Sequence, residues 1–155
     1  MNEVDRECWL SALTRVPAQD LKTLVETFPS DWIIRPTAVP QVGLGMLKLR
    51  DSTMGEAFYL GEFPLSQCRV SVTTAEGLMA EGGALVMDDS AERVEYLALC
   101  DAVLAGRLPG WERVLDSVEM GVQLQLETEL ERKSILAQTR VDFSLLDADA
   151  GGDND

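Results

Sequence analysis

The sequence predicts an α+β fold, in which an antiparallel meander of strands packs against N-terminal helices and two C-terminal helices. Apolar residues recur at helical spacing up to residue 28, alternate with polar residues between residues 32 and 87, and return to helical spacing from residue 88. Turn-forming residues also interrupt the middle region at short intervals, as in a meander. Helices and strands that are segregated along the chain are typical of α+β domains, whereas α/β domains alternate them.

Two short helices are predicted before residue 29, each from one apolar stripe. Pro17 separates them, because proline ends or kinks the first helix and is tolerated in the first turn of the second. Residues 29–31 (PSD) then break the chain. The two stripes are Trp9, Leu10, Leu13 and Val16, followed by Leu21, Leu24, Val25 and Phe28.

The middle region is predicted as short strands joined by turns at residues 51–55 and 61–64. The apolar positions of residues 42–49 change phase near Met46, which indicates either a bulge or a strand that is apolar on both faces. Gly82–Gly83 interrupts the last segment, which indicates a strand pair or a bulged strand. The predicted strands cover residues 32–35, 42–49, 57–60, 65–73 and 78–87.

Two helices are predicted after the strands. The first covers residues 91–105, begins at an Asp89 N-cap with Glu92 completing a capping box, and ends at Gly106. Its density of Leu, Ala and Val indicates that most of its circumference is buried. The second runs from Trp111 to about residue 140. Residues 1–146 are expected to form a single α+β domain, and the acidic tail 147–155 is expected to be disordered.

The composition excludes several classes of protein. The chain has 27 acidic and 13 basic residues and a net charge of −14, so a nucleic-acid partner is not expected. It contains no histidine, so Ser–His–Asp and Cys–His sites cannot be built from this chain alone. No apolar run approaches the ~18 residues of a membrane span. Three widely spaced cysteines favour reduced thiols in the cytoplasm.

Three residues within the core region are candidates for a functional site. Asp101 lies in the apolar run LALCDAVLAG, where a carboxylate needs a partner. That partner is either a group of the same domain or an arginine of another strand or subunit. Arg69 lies next to Cys68, but neighbours on a strand point to opposite faces, so we expect Cys68 inside and Arg69 outside. Glu62 lies in a predicted turn.

Three further candidates lie near the end of the chain, at Arg140, Asp142 and Phe143. Arg140 suits the negative end of a helix dipole. Phe143 is followed by two leucines next to the acidic tail, so it is a candidate for docking on a partner.

Three segments together resemble a known family. They are GEAFYLGEFPLSQCRVSV (55–72), AERVEYLALCDAVL (91–104) and TRVDF (139–143). In this order they resemble the G subunit of the bacterial carbon–phosphorus (C–P) lyase system, the PhnG family, over nearly the whole chain. The family's G-E turn then falls on Gly61–Glu62, its following arginine on Arg69, and its Asp-Ala on Asp101–Ala102.

The resemblance implies a function in phosphonate catabolism. The chain would be a non-catalytic, cytoplasmic subunit of a core complex with subunits I, H and J, assisted by L, in an oligomer that contains a homodimer. The complex would convert ATP and an alkylphosphonate to α-D-ribose 1-alkylphosphonate 5-triphosphate and adenine. The chain alone would bind no cofactor, since ATP would be used, and an iron–sulfur cluster carried, by partner subunits. No catalytic or metal-binding residue is implied here; Glu62, Arg69, Asp101, Arg140, Asp142 and Phe143 would be structural or interface positions.

Two other functions stay open. One is a stand-alone acidic protein-binding module. The other is a small carboxylate-based hydrolase that uses Glu62, Asp101 or Asp142 as acid and base, which would require two of these carboxyl groups to lie close together.

Overall fold

The computed structural model describes residues 6–138, without the side chains of Glu7 and Gln138. It confirms the α+β class and the meander, since the sheet is antiparallel and its strand order β1–β2–β3 follows the chain. Two helices precede the sheet and two follow it. The elements are α1 (Arg6–Leu13), α2 (Ala18–Glu26), β1 (Ile33–Arg50), β2 (Ala57–Thr73), β3 (Met79–Val86), α3 (Ala91–Ala105) and α4 (Trp111–Gln138).

Helix α3 is the centre of the core. Nine of its fifteen residues are buried, which confirms the burial predicted from its composition. It packs on β2 and β3 and also contacts α1, α2 and α4. Gly82 of β3 allows this close packing, because a Cβ there would collide with the backbone of α3 at Ala98 and Ala102. The helix therefore rests directly on the strand.

Helix α4 crosses α1 at a second glycine. A Cβ on Gly121 would collide with the backbone carbonyl of Ala12. Gly121 lowers the helix propensity of α4 locally, and the structure shows that it also permits the contact with α1. Val118 and Val114, about one and two turns earlier, are fully buried in the same core.

The N-cap of α3 differs from the prediction. Ser90, and not Asp89, caps the helix, since its hydroxyl accepts a hydrogen bond from the backbone N–H of Arg93 at 3.1 Å. Asp88 in turn accepts the backbone N–H of Ser90 at 2.9 Å. Glu92 forms no capping box here and instead accepts a hydrogen bond from the Tyr96 hydroxyl. Of two adjacent residues that suit an N-cap, the tertiary fold selects the second.

The strands are longer than predicted. The segments predicted at 32–35 and 42–49 are one strand, β1, and those predicted at 57–60 and 65–73 are one strand, β2, so the turn predicted at 61–64 is wrong. Pro36 and Pro40 are tolerated because β1 is an edge strand. Among residues 6–138, Pro64 lies where β2 pairs with β1 alone, since β3 pairs with Ser66–Thr73. Of the two turns predicted between strands, the one at 51–55 is confirmed.

Strand β3 is a single regular strand, so the predicted strand pair or bulge is wrong. All eight of its residues pair with β2 without a shift of register. Gly82–Gly83 interrupts the apolar pattern without breaking the strand, because Gly82 faces α3 at close range.

Residues 42–65 form a two-stranded extension of the sheet, which we call the arm. It comprises the far half of β1, the turn at 51–55 and the near half of β2, and it lies beyond the end of β3. In the arm, β1 carries apolar side chains on both faces and the ladder also shifts register near Met46, so both predicted alternatives are found. The register shift of the arm lies between Leu47 and Lys48 and leaves Leu60 of β2 without a pairing partner.

Candidate functional site

A groove of about 910 Å³ lies where α1 meets the sheet. It brings together two of the predicted site residues, Arg69 and Asp101. Its other charged lining residues are Arg6 of α1 and Glu81 of β3. The groove thus holds two guanidinium groups and two carboxylates.

Asp101 is held by two groups of its own chain. Its Oδ2 accepts a hydrogen bond from the backbone N–H of Gly83 at 3.0 Å and from Nη2 of Arg6 at 3.3 Å. Asp101 is only 7% exposed, whereas the side chain of Arg6 is 60% exposed. The partner of Asp101 therefore belongs to the same domain, which was the first of the two alternatives predicted for it.

Arg69 and Cys68 point to opposite faces of β2, as predicted. Cys68 is buried in the core and Arg69 is exposed on the outer face. Burial raises the pKa of the Cys68 thiol, and the negative charge of Glu95 raises it further. A thiol with a raised pKa stays protonated at neutral pH and is a poor nucleophile, so the Cys68–Arg69 pair does not form an activated thiol.

Gly83 gives the side chain of Arg69 room on the outer face of the sheet. The two residues are paired across β2 and β3, and Cγ of Arg69 lies 3.2 Å from the position that a Cβ on Gly83 would occupy. Gly83 therefore contacts both predicted residues. Its N–H donates to Asp101, and the side chain of Arg69 lies next to the space that a Gly83 side chain would occupy.

Glu62 lies in the arm, away from the groove. It pairs with Met46 and is exposed. It is seven residues along β2 from Arg69, which corresponds to roughly 20 Å at the rise of a strand. The structure therefore does not bring Glu62 and Asp101 together as an acid–base pair. Asp142, Arg140 and Phe143 lie outside the described residues, and their roles remain predictions.

The arm carries nine of the 21 large apolar side chains that are exposed among residues 6–138. Nine large apolar side chains on it are between 37% and 76% exposed. Exposed apolar patches of this kind usually mark interaction surfaces in soluble proteins. These residues are Val42, Leu44, Met46, Leu47, Leu49, Met54, Phe58, Tyr59 and Leu60.

The turn and the strands of the arm are held by specific contacts. Asp51 closes its turn by accepting the backbone N–H groups of Met54 at 2.8 Å and Thr53 at 3.3 Å. These hydrogen bonds lower the pKa of Asp51. Phe63 covers its cross-strand partner Gly45, with its ring 2.6 Å from the position that a Cβ on Gly45 would occupy. An aromatic ring over a strand glycine replaces packing that the glycine lacks.

The second half of α4 also extends past the core. Every described side chain after Leu124 is exposed, including Leu126 and Leu130. These two leucines continue the helical stripe whose earlier members, Val114 and Val118, are buried. Within residues 6–138, one apolar face of α4 is thus buried at its start and exposed towards its end.

Two arginines that connect helices of the core were not singled out in the sequence. Arg6 binds Asp101, as described above. Arg93 donates to Asp88 Oδ2 at 2.9 Å and to the backbone carbonyls of Thr14 and Val16, so it ties the α1–α2 junction to the start of α3. The available signal was the position of Arg93 in a helix dense in Leu, Ala and Val, where a cation requires acceptors.

Within residues 6–138, no group of three or more His, Cys, Asp and Glu side chains is arranged to hold a metal ion. Over the same residues, none of the helices combines the length and the apolar character needed to cross a bilayer.

Comparison with known proteins identifies one family. The sequence model of a family described as phosphonate metabolism protein PhnG matches residues 4–147, which include the groove, the arm and α4. No curated protein matches the chain. The family match confirms the resemblance inferred from residues 55–72, 91–104 and 139–143.

Proposed function

Because the chain belongs to the PhnG family of phosphonate metabolism proteins, we propose that it is a non-catalytic subunit of the C–P lyase core complex. In this proposal it works with subunits H, I, J and L in the cytoplasm, within an oligomer that contains a homodimer. The complex joins the phosphonate oxygen of an alkylphosphonate to C1′ of ATP and releases adenine. The product is α-D-ribose 1-alkylphosphonate 5-triphosphate.

One observation supports the subunit role, namely the exposed apolar surface of the arm. Burial of apolar side chains is the main favourable term in folding and association. In a chain that works alone, these nine large apolar side chains would stay in contact with water, which is unfavourable. A subunit gains from such an element, because the same side chains become buried on assembly.

The contacts of the groove are those expected of a structural feature and not of a catalytic site. Its most buried carboxylate, Asp101, is already engaged by Gly83 and Arg6. The hydrolase alternative named Glu62 as a possible partner of Asp101, but Glu62 lies in the arm, roughly 20 Å along β2 from Arg69 of the groove. In this proposal the chain itself binds no cofactor, and partner subunits use ATP and carry the iron–sulfur cluster.

Reconstitution tests the proposal. We expect the tagged chain to co-purify with subunit I when the two are co-expressed. We also expect adenine release from ATP and methylphosphonate only when the chain and its partner subunits are combined. The proposal is wrong if the purified chain alone releases adenine at the rate of the complex, or if the complete set of partners releases adenine equally well without it.

A further inference from the structure

We propose that the arm inserts into a cleft of a different protein chain, which covers both of its faces. This inference rests on the proposed function, since it specifies how the subunit is held in its complex.

The register of the arm places exposed apolar side chains on both of its faces, alongside the charged Lys48 and Glu62 on the inner face. Val42 pairs with Ser66, whose side chain is buried on the helix side of the sheet, so Val42 and the alternate residues Leu44 and Met46 continue that inner face. Leu47 and Leu49 alternate with them on the outer face, where Leu49 pairs with Phe58. Strands that are apolar on both faces are typical of sheets covered on both sides.

The core of the domain does not provide this cover. β3 ends its pairing at Ser66, so within residues 6–138 nothing pairs with the two edges of the arm along residues 43–50 and 57–65. It extends about 27 Å from Val42 to Arg50 at the rise of a strand. A two-stranded ribbon of this kind is marginally stable by itself in water, which indicates that the arm gains its stability from a surface outside residues 6–138.

Residues 139–155 carry too little apolar surface and too many acidic side chains to cover both faces of the arm. Residues 139–155 contain four large apolar side chains and five aspartates. Nine exposed apolar side chains on two faces require more apolar surface than this segment carries.

A second copy of the chain fits poorly as the occupant. A twofold pairing of two arms, face to face, would bury one face of each and leave the other exposed. Each copy also carries a charge of −14, which opposes the approach of two copies.

The distribution of charge indicates the character of the partner. Residues 42–65 carry two basic and three acidic side chains, so the arm contributes only −1 to the net charge of −14. The arm is therefore nearly neutral, whereas the rest of the chain is strongly acidic. A complementary partner has two apolar walls that receive the arm and a basic rim that faces the acidic domain. An anionic lipid surface lacks this complementarity.

Paired substitutions on the two faces test the proposal. Leu44→Ser removes an apolar side chain from the inner face and Leu47→Ser removes one from the outer face. Leu78→Ser is the matched control, because Leu78 is also about half exposed (50%) but lies at the opposite end of the sheet. The fluorescently labelled full-length chain is titrated with the purified complex of the remaining core subunits, and thermal melts verify that each variant is folded.

We expect both arm variants to bind roughly 10-fold to 100-fold more weakly than the wild type, since each loses the burial of one leucine. The control is expected to change the affinity by less than about twofold, and added salt is expected to weaken binding through the basic rim. Hydrogen exchange should slow in both strands of the arm on assembly.

Four results would overturn the inference in distinguishable ways. If only one of the two arm variants, or neither, binds the core subunits more weakly, the arm is not enclosed on both faces. The proposed subunit role would then still stand. A homodimer of the purified chain that Leu44→Ser dissociates would make a second copy the occupant. Binding to phosphatidylglycerol vesicles that Leu44→Ser abolishes would make a lipid surface the occupant. Failure of the wild-type chain to bind the core subunits at all removes the proposed function as well.

Discussion

The carboxylate of Asp101 accepts the backbone N–H of Gly83 at a distance of 3.0 Å. β3 is an edge strand, and an unpaired N–H on such an edge is a template for unwanted strand pairing. Asp101 of α3 thus accepts the hydrogen bond of the Gly83 N–H in β3. The carboxylate reaches this N–H because α3 lies in direct contact with Gly82, the preceding residue of the strand.

Removal of this carboxylate is expected to destabilise the domain. Asp101→Ala leaves the N–H of Gly83 without its acceptor, which costs roughly 1–3 kcal/mol. Asp101→Asn keeps an oxygen acceptor and should recover part of that loss. The measurement is the midpoint of urea unfolding for each variant.

Arg6→Ala is the control for Asp101. It removes only the ion pair, whose arginine is 60% exposed, so the loss should stay below about 1 kcal/mol. An effect of Arg6→Ala as large as that of Asp101→Ala would show that the ion pair, and not the strand N–H, is the important contact.

Gly82→Ala is expected to force α3 away from β3. The new Cβ would collide with backbone atoms of Ala98 and Ala102, which cannot rotate out of the way. Overpacking of this kind costs typically 1–3 kcal/mol, and a thermal melt should record the loss. Gly43→Ala is the matched change in a strand, where a Cβ meets nothing within 4 Å; an equal loss in both variants would refute the packing explanation.

Ser90→Ala tests the N-cap of α3. It removes the hydroxyl that accepts the N–H of Arg93, so we expect a loss of about 1 kcal/mol in the free energy of unfolding. Asp89→Ala, one residue earlier, should change that free energy by less than about 0.5 kcal/mol. Chemical denaturation of both variants decides between the two caps, and the reverse order of effects would restore Asp89 as the cap.

The buried thiol of Cys100 is expected to make the domain sensitive to alkaline pH. Burial, and secondarily the negative charge of Asp101, raises the pKa of Cys100 from 9.0 to about 12. The folded state therefore keeps a proton that the unfolded state releases, so this contribution to stability is fully present below pH 9 and is lost as the pH rises towards 12.

Cys100→Ala should remove this dependence. Urea unfolding between pH 8 and 11 should show a steeper loss of stability in the wild type than in the variant. Parallel pH profiles for the two proteins would contradict the assignment to Cys100.

Patterns that depend on near neighbours in the sequence predicted their elements correctly. The apolar spacing of residues 9–28 and 91–105 located α1, α2 and α3, and the residues of the turn at 51–55 located the tip of the arm. Helical hydrogen bonds and tight turns are formed within a few residues, so the signals for them are local.

The errors arose where the outcome depends on a neighbour in space. Pro64 and Gly61 indicated a turn, yet they lie inside β2, because this part of the strand has a partner on only one side. Gly82–Gly83 indicated a break, yet the strand continues, because a helix rests on Gly82. Whether a proline or a glycine ends a strand depends on which groups face it, and those groups come from distant parts of the chain.

The amino-acid sequence alone determined the family, the α+β class, the acidity and the absence of histidine, since these follow from composition, local periodicity and co-linear motifs. Tertiary structure decided that Asp101 accepts hydrogen bonds from Gly83 and Arg6 and that Ser90 caps α3. It also decided that nine apolar side chains of the arm remain exposed. The physical reason is that burial and hydrogen-bond partnership are properties of packed neighbours, and residues separated by up to 95 positions become neighbours only when the chain folds.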